Sequence, residues 1–418
     1  MKDGLRRYGL MLLAGTQQYS SDIDAYKSIE AVDFCSLKLS DKAGTFFSES
    51  DNGGQEYVII SSWDNARWFV PNKKKIISHI GNLIKPSSIK SRLAWEIAKL
   101  FNRFGCIDRV FRTKVYIKTT CLGNFFLDNE DENIDYVIYT GSRGVWQKFT
   151  IQEMKNNEIL SFTKVGKHDL AKQRIINETR ILELLNEQKD IHPFVPQIIR
   201  SYERNGMQFL KQTSCPFYYN QIIPVFGDQH KSFLEKLNRL SKKVDANDYL
   251  AKLQERIEGI GREDEESKII NSILLEGYSL LCRDLKGSIL LCLSHGDFSQ
   301  WNCFSNGKDV FVFDWEMGAY RFPLWDYFNF IFHKNLLIDK EDKFKLKHDL
   351  NTNKQWAESV LPQNYLKAQL VYLMDIIIEY CYQNNATKAY NLETNGLQLS
   401  QYFVDALKYF IDNEYKHC

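Results

Sequence analysis

The run His295-Gly296-Asp297-Phe298-Ser299-Gln300-Trp301-Asn302, followed by Val310-Phe311-Val312-Phe313 and then Asp314-Trp315-Glu316, constrains this chain more than any other feature. Val310 to Phe313 is short, apolar and β-prone, so it reads as a buried strand that delivers Asp314 at its end. A second such segment, Ile289 to Leu293, leads into His295. A loop Asp followed five residues later by an Asn sets both side chains around one small volume. Asp314 meets the same volume if its strand closes a hairpin. Two carboxylates and a carboxamide gathered this way are hard oxygen donors. Magnesium needs few of them, because it keeps several of its waters.

Phosphoryl transfer asks for these parts. One carboxylate orients the attacking hydroxyl and accepts its proton, and two further oxygen ligands hold the metal against nucleotide phosphates. Protein kinases carry H-R-D-L-x-x-x-N and then D-F-G. Here the run is H-G-D-F-S-Q-W-N and then D-W-E, with the same Asp-to-Asn spacing. Gly after His, and D-W-E in the second motif, resemble the aminoglycoside phosphotransferase and choline kinase family. The resemblance implies an α+β, protein-kinase-like, two-lobed fold with a β-rich N-lobe and a mainly helical C-lobe. It implies ATP or GTP and Mg2+ as cofactors, Asp297 as catalytic base, and Asn302 and Asp314 as metal ligands. His295 braces the loop in this reading. Glu316 touches the substrate, supports the metal site or anchors the loop. Phe322-Pro323-Leu324-Trp325-Asp326 resembles a further family segment, in which Asp326 supports the catalytic loop.

The upstream half has a matching order of elements. Strands at Tyr136 to Tyr139, Val145 to Met154 and Ile159 to Val165 precede a helix from Asp169 to Asn186. The resemblance implies that Lys164, on the third strand, serves the nucleotide phosphates and pairs with Glu178 on the helix. Lys148 is a rival for that lysine. The turn Gly141-Ser142-Arg143-Gly144 is either a phosphate-covering loop through Gly141, Ser142 and Gly144 or a plain hairpin turn. Gln208 to Thr213 takes the place of the hinge, with a short strand at Gln208 to Leu210.

Three segments follow: an N-terminal α/β extension over residues 1–125, an N-lobe over 126–213 and a C-lobe over 214–418. The extension carries strands at Tyr57 to Ser61 and Arg112 to Thr119. Its helix, Ser91 to Phe104, repeats Leu93, Ile97, Leu100 and Phe101 at helical spacing. Ala66 to Pro71 and the later IKPSSIKSRL are similar to segments of family members linked to bacterial cell-surface polysaccharide synthesis. The C-lobe reads as helices at Lys231 to Leu240, Ala246 to Ile257, Lys268 to Asp284, Gln363 to Tyr382 and Leu397 to Glu414.

Net charge is +1, so no global field selects a nucleic acid or a membrane, and no specific nucleic acid is expected. Residues 71–118 depart from this balance, with twelve Lys and Arg against Glu96 and Asp108. That stretch is either a solvated basic face or a contact with an anionic partner. The nine Cys show no C-x-x-C pair and no zinc spacing, which fits reduced thiols in a cytoplasm. The apolar part of MKDGLRRYGLMLLAG is short for a signal peptide and is read as mature protein. No transmembrane segment is expected.

These features point to a small-molecule kinase acting on a hydroxyl of a sugar, amino alcohol, aminoglycoside or glycolipid head group. The alternative is a pseudokinase that keeps the fold as a nucleotide-binding or regulatory module. A Ser/Thr protein kinase is disfavoured by Gly296 and by the lack of an A-P-E segment after Asp314. The acid-rich stretch Glu255 to Glu266 is either a substrate wall for a polycation or a solvated helix end.

Overall fold

A computed structural model describes residues 47–48, 54–61, 67–73, 89–109, 114–117, 133–141, 146–156, 158–260, 265–361, 364–389 and 396–416. The chain divides into two compact units, one of Met1–Lys172 with Ile199–Ser214 and one of Gln173–Ile198 with Cys215–Cys418.

The first unit is built on a sheet. Its elements are β1 (Phe47–Ser48), β2 (Gln55–Ser61), β3 (Arg67–Pro71), α1 (Ile89–Arg103), β4 (Lys114–Ile117), β5 (Asp135–Tyr139), β6 (Lys148–Lys155) and β7 (Glu158–Gly166). Helix α2 (Asp169–Asn186), which belongs to the second unit from Gln173 on, follows, then β8 (Ile198–Arg204) and β9 (Met207–Thr213) return to the first. The nine strands run in the order β1-β4-β2-β3-β5-β6-β7-β9-β8. Strand β3 pairs antiparallel with β5, setting Trp68 opposite Tyr139, so strands from the first 125 residues and those after them share one sheet.

Alternation explains why this sheet is buried on both sides. Tyr57, Ile59 and Phe69 join Tyr136, Ile138, Ile151, Val165 and Phe209 in one apolar cluster. Val58, Ile60, Trp68 and Val70 point the other way and pack with Ala98 of α1, Val137 and Met154. Helix α1 meets the sheet through Ala98 and Asn102, and the Asn102 amide donates to the carbonyl of Lys73 at 2.9 Å. The helical repeat Leu93, Ile97, Leu100 and Phe101, which sequence periodicity would turn inward, is exposed instead. Strands β8 and β9 are joined by Asn205-Gly206, both at positive φ, the backbone of a tight hairpin. Only part of β9 stands out in the sequence, because β8 (IIRSYER) carries no buried face.

The second unit is mainly helical: α3 (Asp228–Asn238), α4 (Ala246–Glu258), α5 (Glu265–Asp284), α6 (Trp325–Leu337), α7 (Lys343–Val360), α8 (Tyr365–Ala389) and α9 (Gly396–Phe410). Strands β10 (Ser241–Asp245), β11 (Ser288–Ser294) and β14 (Ala319–Arg321) form a small antiparallel sheet in the order β10-β11-β14. Strands β12 (Cys303–Ser305) and β13 (Val310–Val312) form a hairpin. Its turn is set by Asn306, whose side-chain oxygen accepts from the N–H groups of Lys308 and Asp309, and by Gly307 at φ 92°.

Two helices escape sequence periodicity for opposite reasons. Residues Trp325 to Asn335 of α6 are all buried, so no polar face marks the helix. Helix α7 buries only Asn353 and Ala357 and is polar elsewhere; its start is marked by Asp342, which caps the N–H groups of Phe344 and Lys345. The architecture is the expected α+β one, an antiparallel sheet unit beside a mainly helical region in sequence. Among the described residues, no helix is long and apolar enough to cross a membrane.

Candidate active site

The second unit brings the motif together around one buried carboxylate. Asp326, at the start of α6, accepts from the Ser294 hydroxyl at 2.8 Å, the His295 N–H at 2.7 Å and the Gly296 N–H at 3.0 Å. These bonds clamp the turn that leaves β11. Gly296 lies at φ +82°, and a Cβ there would sit 2.2 Å from the Met317 carbonyl oxygen and 2.8 Å from Nη1 of Arg321. Only glycine fits on both counts.

His295 is fully buried and braces the loop, in keeping with its expected role. Its Nδ1 accepts from the Asp297 N–H at 3.1 Å, so its Nε2 carries the proton and donates to the Phe313 carbonyl at 3.0 Å. Burial depresses its pKa, which keeps this tautomer neutral. The ring packs edge-on against Trp315, whose indole N–H donates to the Val312 carbonyl at 3.0 Å. One histidine thereby ties the loop of Asp297 to Phe313, the residue between β13 and Asp314.

Asn302 turns its side chain onto Asp297. Its Nδ2 donates to the Asp297 main-chain oxygen and to Oδ2, each at 2.9 Å. With both amide hydrogens engaged, Oδ1 is the atom Asn302 has to offer a cation. The Phe313 N–H donates to the Asn302 carbonyl at 3.2 Å, joining this loop to the hairpin. Asp314 then takes φ 71°, a left-handed conformation uncommon for a residue other than glycine. Such local strain is held in place by surrounding packing, here the buried Trp315 and the 3-10 turn Trp315–Met317.

The carboxyl of Asp297 is pushed up to about 7, first by burial and second by the nearby charge of Asp314. The Asn302 hydrogen bond and Arg174 act in the opposite direction. A carboxylate titrating near neutrality is suited to accept a proton and later release it.

A stripe of α2 completes the site from the far side. Arg174, Asn177, Glu178 and Ile181 recur on one face of that helix. Arg174 pairs with Glu316 at 3.1 Å, and Asn177 donates to the carbonyls of Glu316 and Gly318 at 2.9 and 3.0 Å. Gly318 is needed for this approach, since a Cβ would sit 2.9 Å from Ile181. Carboxylate oxygens of Glu178, Asp314 and Glu316 all lie within 4.8 Å of one another. Of the three roles open to Glu316, loop anchoring is the one its Arg174 contact fits. Carboxylate oxygens of this kind are hard donors, and magnesium takes one or two of them while keeping several of its waters.

Other sequence expectations land as follows. Lys164 is buried on β7, opposite Thr150 on one side and Leu210 on the other. Gly141 has φ +71°, and a Cβ there would sit 2.5 Å from the Lys148 carbonyl oxygen. Ser142 and Gly144 lie outside the described residues. Within the acid-rich stretch, Glu255, Glu258, Glu265 and Glu266 are exposed, while Glu263 and Asp264 lie outside the described residues. Two further acids, on α8, carry no sequence signal. Asp375 pairs with Arg256 at 2.5 Å. Glu379, one turn on, interacts electrostatically with Arg174, Arg256 and Arg321.

No family model and no curated protein sequence matches this chain. Solved structures similar to it include the GDP complex of an aminoglycoside 2'-phosphotransferase-IIIa, at 14% identity and a TM-score of 0.45 over 71% of this chain and 98% of that one. A choline/ethanolamine kinase family protein from Mesorhizobium loti is similar at 8% identity and a TM-score of 0.41, over 66% of this chain and 88% of that one. A glucosamine kinase is similar at 12% identity and a TM-score of 0.37, over 85% of this chain and 88% of that one. At such values the likeness assigns no residue a role, and the roles argued here rest on this chain's own side chains.

Proposed function

We propose that this protein is a small-molecule kinase that moves the γ-phosphate of ATP or GTP to a hydroxyl. The observation that carries the reading is the Asp297–Asn302–Asp314 arrangement: a half-buried carboxylate raised toward neutrality, held by an Asn amide, near a second carboxylate just past a strand. Asp297 takes the proton of the acceptor hydroxyl as its oxygen bonds to phosphorus, and the nucleoside diphosphate leaves. Asn302 Oδ1 and Asp314 would hold Mg2+, which when bound neutralises phosphate charge. Glu178 and Glu316 add negative charge beside that position, and Arg174 offsets part of it. For Lys164 the phosphate-binding role is the one the family resemblance implies.

The test is phosphate transfer to a panel of sugars, amino alcohols, aminoglycosides and glycolipid head groups, with a thermal shift measured alongside. ATP or GTP with Mg2+ raises the melting temperature of the wild type, by about 2.7 kcal/mol of stability at a hundred times Kd. Asp314→Ala loses the metal-dependent part of that shift. A wild type that neither shifts with either nucleotide nor transfers phosphate sinks the proposal.

A further inference from the structure

Among the described residues, helix α1 presents an apolar stripe to solvent. Leu93, Ile97, Leu100, Phe101 and Phe104 are 64%, 38%, 51%, 37% and 69% exposed. At 3.6 residues per turn these positions fall within an arc of about 100°. The opposite side is fixed to the sheet: Ala98 and Asn102 are each 1% exposed, and Asn102 holds the Lys73 carbonyl. The stripe therefore cannot rotate inward without breaking that anchor. Its far end is fixed as well, because Gly105 at φ 72° lets the Cys106 N–H close back on the Phe101 carbonyl at 2.9 Å. This leaves Phe104 projecting.

Charge lies beside the stripe. Lys99 and Arg103 sit on the flank of the apolar arc, with Glu96 paired to Lys99. Across residues 71–118 there are twelve basic side chains and two acidic ones. A protein partner would match the stripe with its own apolar surface and would need no such surplus. A helix with a wide apolar arc, a charged flank and a basic setting has the composition of one that lies in a lipid–water interface. Contiguous exposed apolar side chains of this kind are uncommon on a surface that meets only water.

We propose that α1 docks this protein on the surface of an anionic lipid bilayer, its apolar stripe entering the head-group layer and the basic residues on its flank, Lys99 and Arg103, meeting lipid phosphates. The contact is peripheral. It is independent of the phosphotransfer reading, since it uses no residue of that site.

The experiment is co-sedimentation of the full chain with phosphatidylcholine vesicles, with and without phosphatidylglycerol. Wild type is expected to bind the anionic vesicles at least about tenfold more tightly than the neutral ones. The difference should shrink as salt shortens the Debye length below about 10 Å. Leu100→Gln combined with Phe101→Gln should cut binding about tenfold, and Arg103→Glu should weaken only the anionic component. Because these side chains are exposed, thermal unfolding of the variants should match wild type. Equal binding to neutral vesicles, no binding to either, or full binding by the double variant would overturn the proposal. So would a wild-type dimer in light scattering that the double substitution dissolves, since the stripe would then be a self-association face.

Discussion

The amide of Asn302 gives both of its hydrogens to Asp297, one to the main-chain oxygen and one to Oδ2, at 2.9 Å each. This contact stabilises the ionised form of Asp297 against burial and the charge of Asp314, both of which raise its pKa. Asn302→Ala removes it. The acid limb of the pH–rate profile, set by the base, should then move to higher pH, and kcat should fall even at alkaline pH because the carboxylate is no longer oriented. Steady-state rates between pH 5 and 9 check this. An unmoved limb would mean that Asn302 does not tune the base.

The same raised carboxyl has a stability cost with a definite sign. Between the ordinary carboxylate range and about 7, the folded chain holds a proton on Asp297 that the unfolded chain releases. Stability from this group is therefore present at low pH and lost as pH rises through about 7. Asp297→Asn should melt at a higher temperature than wild type at pH 8 without added metal, with the gap closing toward pH 5. A gap that grows on acidification would contradict the assignment.

Asp326 and Gly296 should be intolerant for separate reasons. Asp326→Asn has one acceptor oxygen where three donors converge, and its NH2 would face a backbone N–H. The expected loss is about 2–5 kcal/mol, from lost charge-assisted bonds and stranded buried donors. Gly296→Ala adds both a strained φ and an overlap with the Met317 carbonyl, costing about 1–3 kcal/mol for the backbone conformation alone. Urea unfolding reads both. Near-normal stability of either variant would show that the loop has another way to close.

Arg174 is a cation beside this acid cluster. It pairs with Glu316 and interacts electrostatically with Asp297 and Asp314. Arg174→Met should raise the apparent pKa of the base and cut the rate, and Arg174→Lys should restore part of it. The matching pH profiles separate this role from simple packing, because a packing loss lowers stability without moving the limb.

Much of this site is legible in the sequence, because its chemistry is local. Asp297, Asn302 and Asp314 stand in a short run where strand, loop and hairpin are set by Val310 to Phe313 and by the Asn306-Gly307 turn. Arg174 and Asn177 are invisible there because their partners lie about 140 residues downstream. The only available sign is their shared stripe with Glu178 and Ile181. Asp375 and Glu379 are hidden in α8, a helix buried on most sides and so without a polar face to single them out. In the first unit, periodicity finds α1 but not the face that meets the sheet. It detects an apolar stripe, whereas contact with the sheet runs through Ala98 and Asn102.

The account rests on Asp297 as the base of a phosphoryl transfer. Its most direct measurement is the rate of γ-phosphate transfer from ATP or GTP, with Mg2+, to the best acceptor found for the wild type, repeated with Asp297→Asn. The predicted result is transfer by the wild type and a rate lower by about 10²- to 10⁴-fold in the variant. Transfer by Asp297→Asn at the wild-type rate would contradict it.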